Sequence, residues 1–160
     1  MISTTDNKFH LSKEGLAKAK QEYEKLLEFK KAKTKGEVPA IWHSEDVNPE
    51  YIAFQEDLSI LESRLAEYEE ILKNAELIKL PPKEKRKEVH LGARVIIGVD
   101  NGRVDEFEIV GTLEANPSVG KISNESPVGK ALLGHRAGEK VSVSSPKETI
   151  LTIRKIRYRP

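Results

Sequence analysis

Residues 51–75 carry the strongest periodic signal in the chain. Tyr51, Phe54, Leu58, Leu61, Leu65, Tyr68, Leu72 and Ala75 recur at alternating steps of three and four, which aligns apolar side chains along one edge of an α-helix. At the α-helical rise, a helix over this stretch would be about 37 Å long. The stripe is narrow, so it suits one partner helix better than a broad globular core. A chain carrying it must therefore supply a second helix of similar length.

Residues 12–35 provide that partner. Leu16, Ala19, Tyr23 and Leu26 repeat the same spacing, with Leu27 beside them. Ser12 stands where a helix cap would, and Glu14 falls in the first turn, where a carboxylate complements the helix dipole. The seam fades after Leu26, because the next matching positions are Lys30 and Lys33. Gly36 and Pro39 disturb helical structure. Pro49 opens the second helix, with Asn48 as its cap. The expected geometry is an antiparallel helical hairpin over residues 1–80. Its first ten residues form a loose lead-in, and an acidic tip lies near 43–50. The second helix is expected to end near Ile78, because Pro81 and Pro82 cannot continue it.

The period then changes. Residues 81–88, PPKEKRKE, contain no core residue and read as a linker. Residues 89–99 and 104–113 are rich in β-branched side chains and flank Asn101-Gly102, a strong hairpin signal. Further strands are expected at 119–122, 140–145 and 149–158. Ser126-Pro127 opens a short helix through Leu133, stopped by Gly134. The fold class is α+β: a coiled-coil hairpin followed, over 89–160, by a small β domain with one short helix.

The charge distribution narrows what such a hairpin can do. Residues 1–80 hold 12 Lys+Arg against 16 Asp+Glu, whereas residues 81–160 hold 15 against 10. Lys30, Lys31, Lys33 and Lys35 crowd one helix end. From 37 through 63 there is then no cation, while Glu45 and Asp46 sit in the turn. The ordinary reading is solvated surface charge. The acidic block, however, lacks the cations one helical turn away that a solubilising face uses. Paired carboxylates at the end of a projection can complete a site for a hard divalent cation, yet two alone hold Mg²⁺ weakly. Any metal would thus be shared with a partner, and the lysines would meet nucleic-acid phosphates. Trp42 and Tyr51 brace the turn or, less readily, stack on a base or a partner element.

Other chemistry is poorly supported. There is no cysteine, and His10, His43, His90 and His135 lack metal-ligand spacing. No nucleophile elbow, P-loop or dinucleotide fingerprint is present. No apolar run approaches the roughly 20 residues of a membrane span, and the N-terminus lacks the features of a secretory signal. A cytoplasmic protein with no membrane association is expected.

Residues 122–143, ISNESPVGKALLGHRAGEKVSV, resemble the signature of the Gre family of transcript cleavage and elongation factors, GreA type; the core string is 126–139. Leu11-Ser12-Lys13-Glu14-Gly15-Leu16, Asn48-Pro49-Glu50-Tyr51 and the NAELI run at 74–78 are similar to that family's first helix, post-tip segment and second-helix end. The resemblance implies an antiparallel coiled coil followed by an FKBP-like domain. It also implies a monomeric partner of bacterial RNA polymerase that docks at the secondary channel and inserts the coiled coil. There the tip carboxylates, Glu45 and Asp46, would help hold a catalytic Mg²⁺ jointly with the polymerase, none being tightly bound to the isolated protein. Lys30, Lys31, Lys33 and Lys35 would lie along the nascent RNA near its 3′ end. Glu125, Ser126 and Pro127 match the polymerase-docking segment. The factor would stimulate cleavage of backtracked RNA by the polymerase and would not itself be a nuclease.

The tip departs from the family pattern, which places an Asp and a Glu three residues apart; here those positions hold Ser44 and Val47, and the acids are adjacent. A channel-binding regulator or inhibitor without cleavage activity is therefore a second reading. A peptidyl-prolyl isomerase is a third, weakened because the C-terminal domain has only Phe107 and Tyr158 as aromatics.

Overall fold

The structure, a computed structural model, describes residues 8–36, 39, 48–144 and 147–159. The chain divides into two compact units: residues 16–74, and residues 1–15 together with 75–160.

Two helices make the first unit, α1 (Lys13–Lys35) and α2 (Pro49–Lys73). Asn48 caps α2, its side chain accepting the Glu50 N–H at 3.1 Å, with Pro49 in the first turn. The Tyr23 hydroxyl donates to Glu69 at 2.9 Å, Lys30 pairs with Glu62 at 3.4 Å and Lys33 with Asp57 at 3.1 Å. As residue numbers rise on α1 they fall on α2, so the helices are antiparallel. Exposed pairs of this kind contribute only about 0.2–1 kcal/mol each, so the apolar seam supplies most of the pairing energy. Leu61 and Leu65 are buried in it, while Tyr51, Phe54, Leu58, Tyr68 and Leu72 are half-buried; Ile71, one position off the stripe, is buried as well. With one partner helix, most seam residues keep a flank open to water.

The second helix ends earlier than its periodicity predicts. Asn74 stops it, its backbone N–H and its side-chain amide both donating to the Glu70 carbonyl at 3.1 Å. Ala75, the last residue of the apolar stripe, instead starts a strand, β2 (Ala75–Leu77).

In the other unit, β2 pairs in parallel with β1 (Phe9–Leu11), a strand where the sequence reads a loose lead-in. Leu11 is buried, and its carbonyl accepts from the Ile78 N–H at 2.9 Å. Three residues are too few to display a period, and the partner strand is remote in sequence. The first turn of α1 is also finished from afar. Ser12 Oγ accepts the Gly15 N–H at 3.0 Å, while Glu114 accepts from the Ser12 N–H at 2.7 Å and from Ser12 Oγ at 2.5 Å. In a local capping box a glutamate at the position of Gly15 would satisfy the cap residue's own N–H. Here Glu114 does so, and a Cβ on Gly15 would lie 2.4 Å from its carboxylate. Gly111 allows a similar close approach, since a Cβ there would fall 1.9 Å from the His10 carbonyl oxygen.

Five further strands form one sheet: β3 (Ala93–Val99), β4 (Val104–Val110), β5 (Lys121–Ser123), β6 (Lys140–Val143) and β7 (Thr149–Tyr158). Their order is β5-β4-β3-β7-β6, antiparallel except for the β4–β5 pair. The β3–β4 hairpin turns through Asn101-Gly102, with Gly102 at φ +83°, the left-handed geometry an Asn-Gly turn supplies. One sheet face carries Ala93, Val95, Ile97, Ile109, Val141, Val143, Leu151 and Ile153 into the core, where Leu132 of the short helix α3 (Pro127–Leu132) covers them. A β-bulge in β7 interrupts the alternation opposite Ile96 and Ile97.

The segment 81–88 is more ordered than a linker. Lys83–Lys87 forms a 3-10 turn, and Glu88 bridges to Arg136. The Tyr158 hydroxyl donates to the Glu88 carbonyl and accepts the His90 N–H at 2.9 Å. Desolvation raises the Tyr158 phenol above its ordinary value, consistent with a neutral donor. The Arg136 guanidinium, 2.9 Å from the Glu88 carboxylate, holds that carboxyl below its usual range against opposing desolvation; His135, 2.6 Å from Glu139, does the same for Glu139.

Tyr158→Phe removes one hydroxyl that serves two backbone groups, and the expected loss is about 1–3 kcal/mol, measurable as a lowered chemical-denaturation midpoint. A depressed folded-state carboxyl stabilises above its unfolded pKa, near 4.5, and loses that contribution as pH falls through the folded value. Arg136→Gln should thus lower the melting temperature at neutral pH, with the difference from wild type shrinking on the acid side of about pH 4.5.

Candidate functional site

The candidate residues fall into three groups. The first, Glu45 and Asp46, lies outside the described residues. Both fall in the sequence that joins the end of α1 at Lys35 to the start of α2 at Pro49.

The second group is the lysine run on the last turns of α1. Lys33 is tied back to α2: its Nζ lies 3.1 Å from Asp57 and 5.3 Å from the centroid of the Phe54 ring. The ring's negative face and the carboxylate both favour the ammonium there. Lys30 reaches Glu62 at 3.4 Å. These two occupy seam positions where the apolar stripe fades, so their stems cover the seam while their charges find acids across it. Lys31 and Lys35 are exposed and make no ion pair among the described residues. The run therefore splits: two cations brace the hairpin, and two are free for an external anion.

The third group, Glu125, Ser126 and Pro127, is a preformed corner between β5 and α3. Ser126 Oγ donates to the Ser123 carbonyl at 2.6 Å and accepts the Gly129 N–H at 3.1 Å, which makes it the cap of α3. Pro127 occupies the first helical position. Gly129 is required here, because a Cβ would lie 2.1 Å from the Ser123 carbonyl oxygen. The Glu125 carboxylate accepts from Thr112 Oγ1 at 2.9 Å, and the Glu125 N–H donates to Ser123 Oγ at 3.0 Å. An exposed carboxylate is thus held in one direction by a hydroxyl that sequence reading does not single out. Thr112 lies on the 3-10 turn Thr112–Glu114, the same turn that supplies Glu114 to the cap of α1. Glu114 is the residue that sequence reading missed here. Its only signal is a capping pattern at Ser12 that has glycine where a glutamate belongs.

Among the described residues no group of histidines and carboxylates is arranged to hold a metal, and no helix is long and apolar enough to cross a membrane. A shallow cavity of about 220 Å³ is lined by Arg94, Glu106, Glu108, Val119 and Gly120. It is polar and contains no aromatic wall.

Comparison with known proteins places this arrangement in a family. The profile of the family described as "Transcription elongation factor, GreA/GreB, C-term" matches residues 83–158. The chain is 41% identical to the transcription elongation factor GreA of Thermomicrobium roseum over 143 residues, which cover 88% of this chain and 91% of that protein. It is 35% identical to the GreA of Chloroflexus aggregans over 157 residues, 96% of this chain and 99% of the relative. Among solved structures, the GreA factor homolog 1 (Gfh1) protein of Thermus thermophilus is 27% identical and covers 94% of this chain and 99% of its own, with a TM-score of 0.42. The two GreA relatives are matched over 88% and 96% of this chain at 41% and 35% identity, and on them the chain belongs to the GreA/GreB family of transcription elongation factors.

Proposed function

We propose that this elongation factor docks on bacterial RNA polymerase through the corner formed by Glu125, Ser126 and Pro127, and inserts its helical hairpin into the secondary channel. At the hairpin's end Glu45 and Asp46 help hold a catalytic Mg²⁺ that belongs jointly to factor and polymerase. The polymerase then cleaves its own backtracked transcript. The factor contributes acceptor oxygens and performs no bond cleavage itself. The observation that carries this reading is the hairpin. Two antiparallel helices of 23 and 25 residues are joined by a sequence whose two adjacent acids have no cation near them in the chain.

Carboxylates on a long, narrow support suit this task. Mg²⁺ demands near-octahedral oxygen ligation and keeps waters unless several ligands converge, so a pair of carboxylates acts by completing a site that another molecule has begun. Once held, such an ion lowers the pKa of a bound water and stabilises charge on the scissile phosphate. Lys31 and Lys35, which make no ion pair among the described residues, would meet the phosphates of the extruded RNA.

The adjacent spacing of Glu45 and Asp46, with Ser44 and Val47 at the family's acidic positions, favours one alternative: a channel-binding regulator that docks without supporting cleavage. The isomerase reading has less support, because Phe107 and Tyr158 are packed against the core and the Tyr158 hydroxyl is committed to the backbone.

With stalled elongation complexes, the wild-type protein is expected to accelerate transcript cleavage. Glu45→Ala or Asp46→Ala should reduce this by at least about tenfold, the loss of one charge-stabilising ligand, while polymerase binding stays near the wild-type level. Slower cleavage on adding wild-type protein would establish the inhibitor reading instead. Ser126→Ala is expected to weaken polymerase association and to lower stability by about 1 kcal/mol through the lost cap; association unchanged in a pull-down would remove that corner from the interface.

A further inference from the structure

Strand β4 is covered along only part of its outer edge. β5 is the last strand on that side of the sheet, and it pairs with residues 108–110 alone. The sequence before β5 explains the short pairing. Pro117 starts a 3-10 turn, Pro117–Val119, and Gly120 follows at φ +77°. Asn116 and Lys121 close this loop by exchanging backbone bonds at 2.8 and 3.1 Å. The chain therefore reaches β4 only at Gly120, whose carbonyl accepts the Glu108 N–H at 2.8 Å. Among the described residues no strand lies beside 104–107 on that side. Strand register identifies the groups left open. The Arg103 carbonyl accepts the Val99 N–H at 2.8 Å, and the Ile109 carbonyl accepts the Gly92 N–H at 2.8 Å. Odd-numbered residues along this stretch thus turn their backbone groups to β3, and even-numbered ones turn theirs outward. The N–H and carbonyl of Val104 and the N–H of Glu106 meet no partner among the described residues. The Glu106 carbonyl faces Gly120, where a Cβ would lie 3.0 Å from it.

An open edge of this kind is a template for a further strand, with main-chain bonds giving affinity and alternate side chains giving choice of partner. The side chains here specify that choice. Asp105 and Glu108 are neutralised by Arg103 at 2.7 Å and Arg94 at 3.4 Å. Glu106 is exposed and makes no ion pair among the described residues. With Val119, Gly120, Arg94 and Glu108 it lines the shallow cavity of about 220 Å³. Residues paired across strands share a face, so in an added antiparallel strand the side chain opposite Glu106 would project over this cavity. A lysine or arginine there would lay its stem on Val119, which is 66% exposed, and set its charge on Glu106. Two positions further on, the side chain would stand beside Val104, which is 50% exposed, and an apolar β-branched residue fits that place. A second copy of the same edge would bring another Glu106 and no free cation, so charge disfavours self-pairing.

We infer that the open edge of β4 at Val104 and Glu106 receives an extended, basic polypeptide segment as an added antiparallel strand, with a lysine or arginine opposite Glu106 and a β-branched residue opposite Val104. The corner at Glu125 follows β5 at the other end of β4, where the Asn124 N–H donates to the Val110 carbonyl at 2.9 Å. The edge is thus a separate surface, and its use does not depend on that corner or on the hairpin tip.

The test is NMR of the isotope-labelled full-length protein titrated with the peptide acetyl-Thr-Lys-Thr-Val-Thr-amide. Saturable shifts are expected at Val104, Glu106 and Val119, and amide exchange at Val104 and Glu106 should slow at least about fivefold in the bound protein. An affinity in the millimolar range, as one short strand provides, suffices for this readout. The same peptide with glutamate in place of lysine should bind at least about tenfold more weakly, and Glu106→Lys should reverse that preference. Val104→Pro removes an outward N–H and leaves the bonds to β3 in place, since proline is tolerated on an edge; it should weaken the lysine peptide by a similar factor. If the proline variant does not fold, the charge reversal by Glu106→Lys decides alone. Unchanged exchange at Val104 and Glu106 overturns the inference, as does equal binding of the two peptides to wild type. Slowed exchange at Lys140 and Ser142 instead overturns it by placing the added strand on β6, the sheet's other edge. Protection of Val104 and Glu106 that grows with protein concentration and needs no peptide also overturns it, by assigning the edge to a second copy of the chain.

Discussion

The pairing of residues 8–15 with the C-terminal unit is the constraint on which the rest of that unit's layout depends. The chain leaves after Gly15, builds the helical unit, and returns at Ala75 to pair with the strand it began with. Two short parallel strands contribute little alone; their stability comes from the burial of Leu11 and from Glu114, which completes the cap at Ser12. Because the capping carboxylate comes from a remote turn, forming the first turn of α1 and folding the β domain are linked events. Gly15 and Gly111 are the steric conditions of that link: each leaves room for an atom that a methyl group would displace.

The same turn serves two purposes. Its Glu114 closes the cap of α1, and its Thr112 orients Glu125 at the corner before α3. The corner before α3 and the anchoring of the N-terminal residues therefore share three consecutive residues, Thr112–Glu114. The corner itself is rigid for local reasons, a capped helix start with Pro127 in its first turn and Gly129 beneath it, so a partner meeting it would have little ordering entropy to overcome. The helical unit follows a different economy. Its narrow seam leaves many apolar residues half-exposed, and basic side chains take over where the seam runs out, Lys30 and Lys33 exchanging core positions for ion pairs and a cation–π contact.

Much of this was legible in order along the chain. The antiparallel helices, the cap at Asn48, the Asn-Gly hairpin, the Ser-Pro start and glycine stop of α3, and the terminal strand all rest on interactions between residues a few positions apart, which leave periodic or punctuating signals in sequence. The resemblance of residues 122–143 to the Gre signature reached the family that the comparisons establish. Errors arose where a remote partner overrode a local pattern. The apolar stripe runs on to Ala75, yet strand pairing with Phe9 takes that residue from the helix. The polar run at 81–88 looks like a linker, yet Tyr158 and Arg136 hold its end.

What the sequence determined by itself was the class of fold and the division of labour: a narrow apolar stripe needs a partner helix, and alternating β-branched runs need a sheet. It also held one unread sign of the bulge, the two consecutive cations between Ile153 and Ile156 that break a strict alternation. Only the tertiary structure decided which lysines are spent on internal pairs, which distant glutamate caps the first helix, and that the turn before β5 leaves part of the β4 edge open. Those outcomes depend on strand register and on close approach between segments remote in sequence. Neither is encoded in any local spacing, because each is settled by the packing of the whole unit.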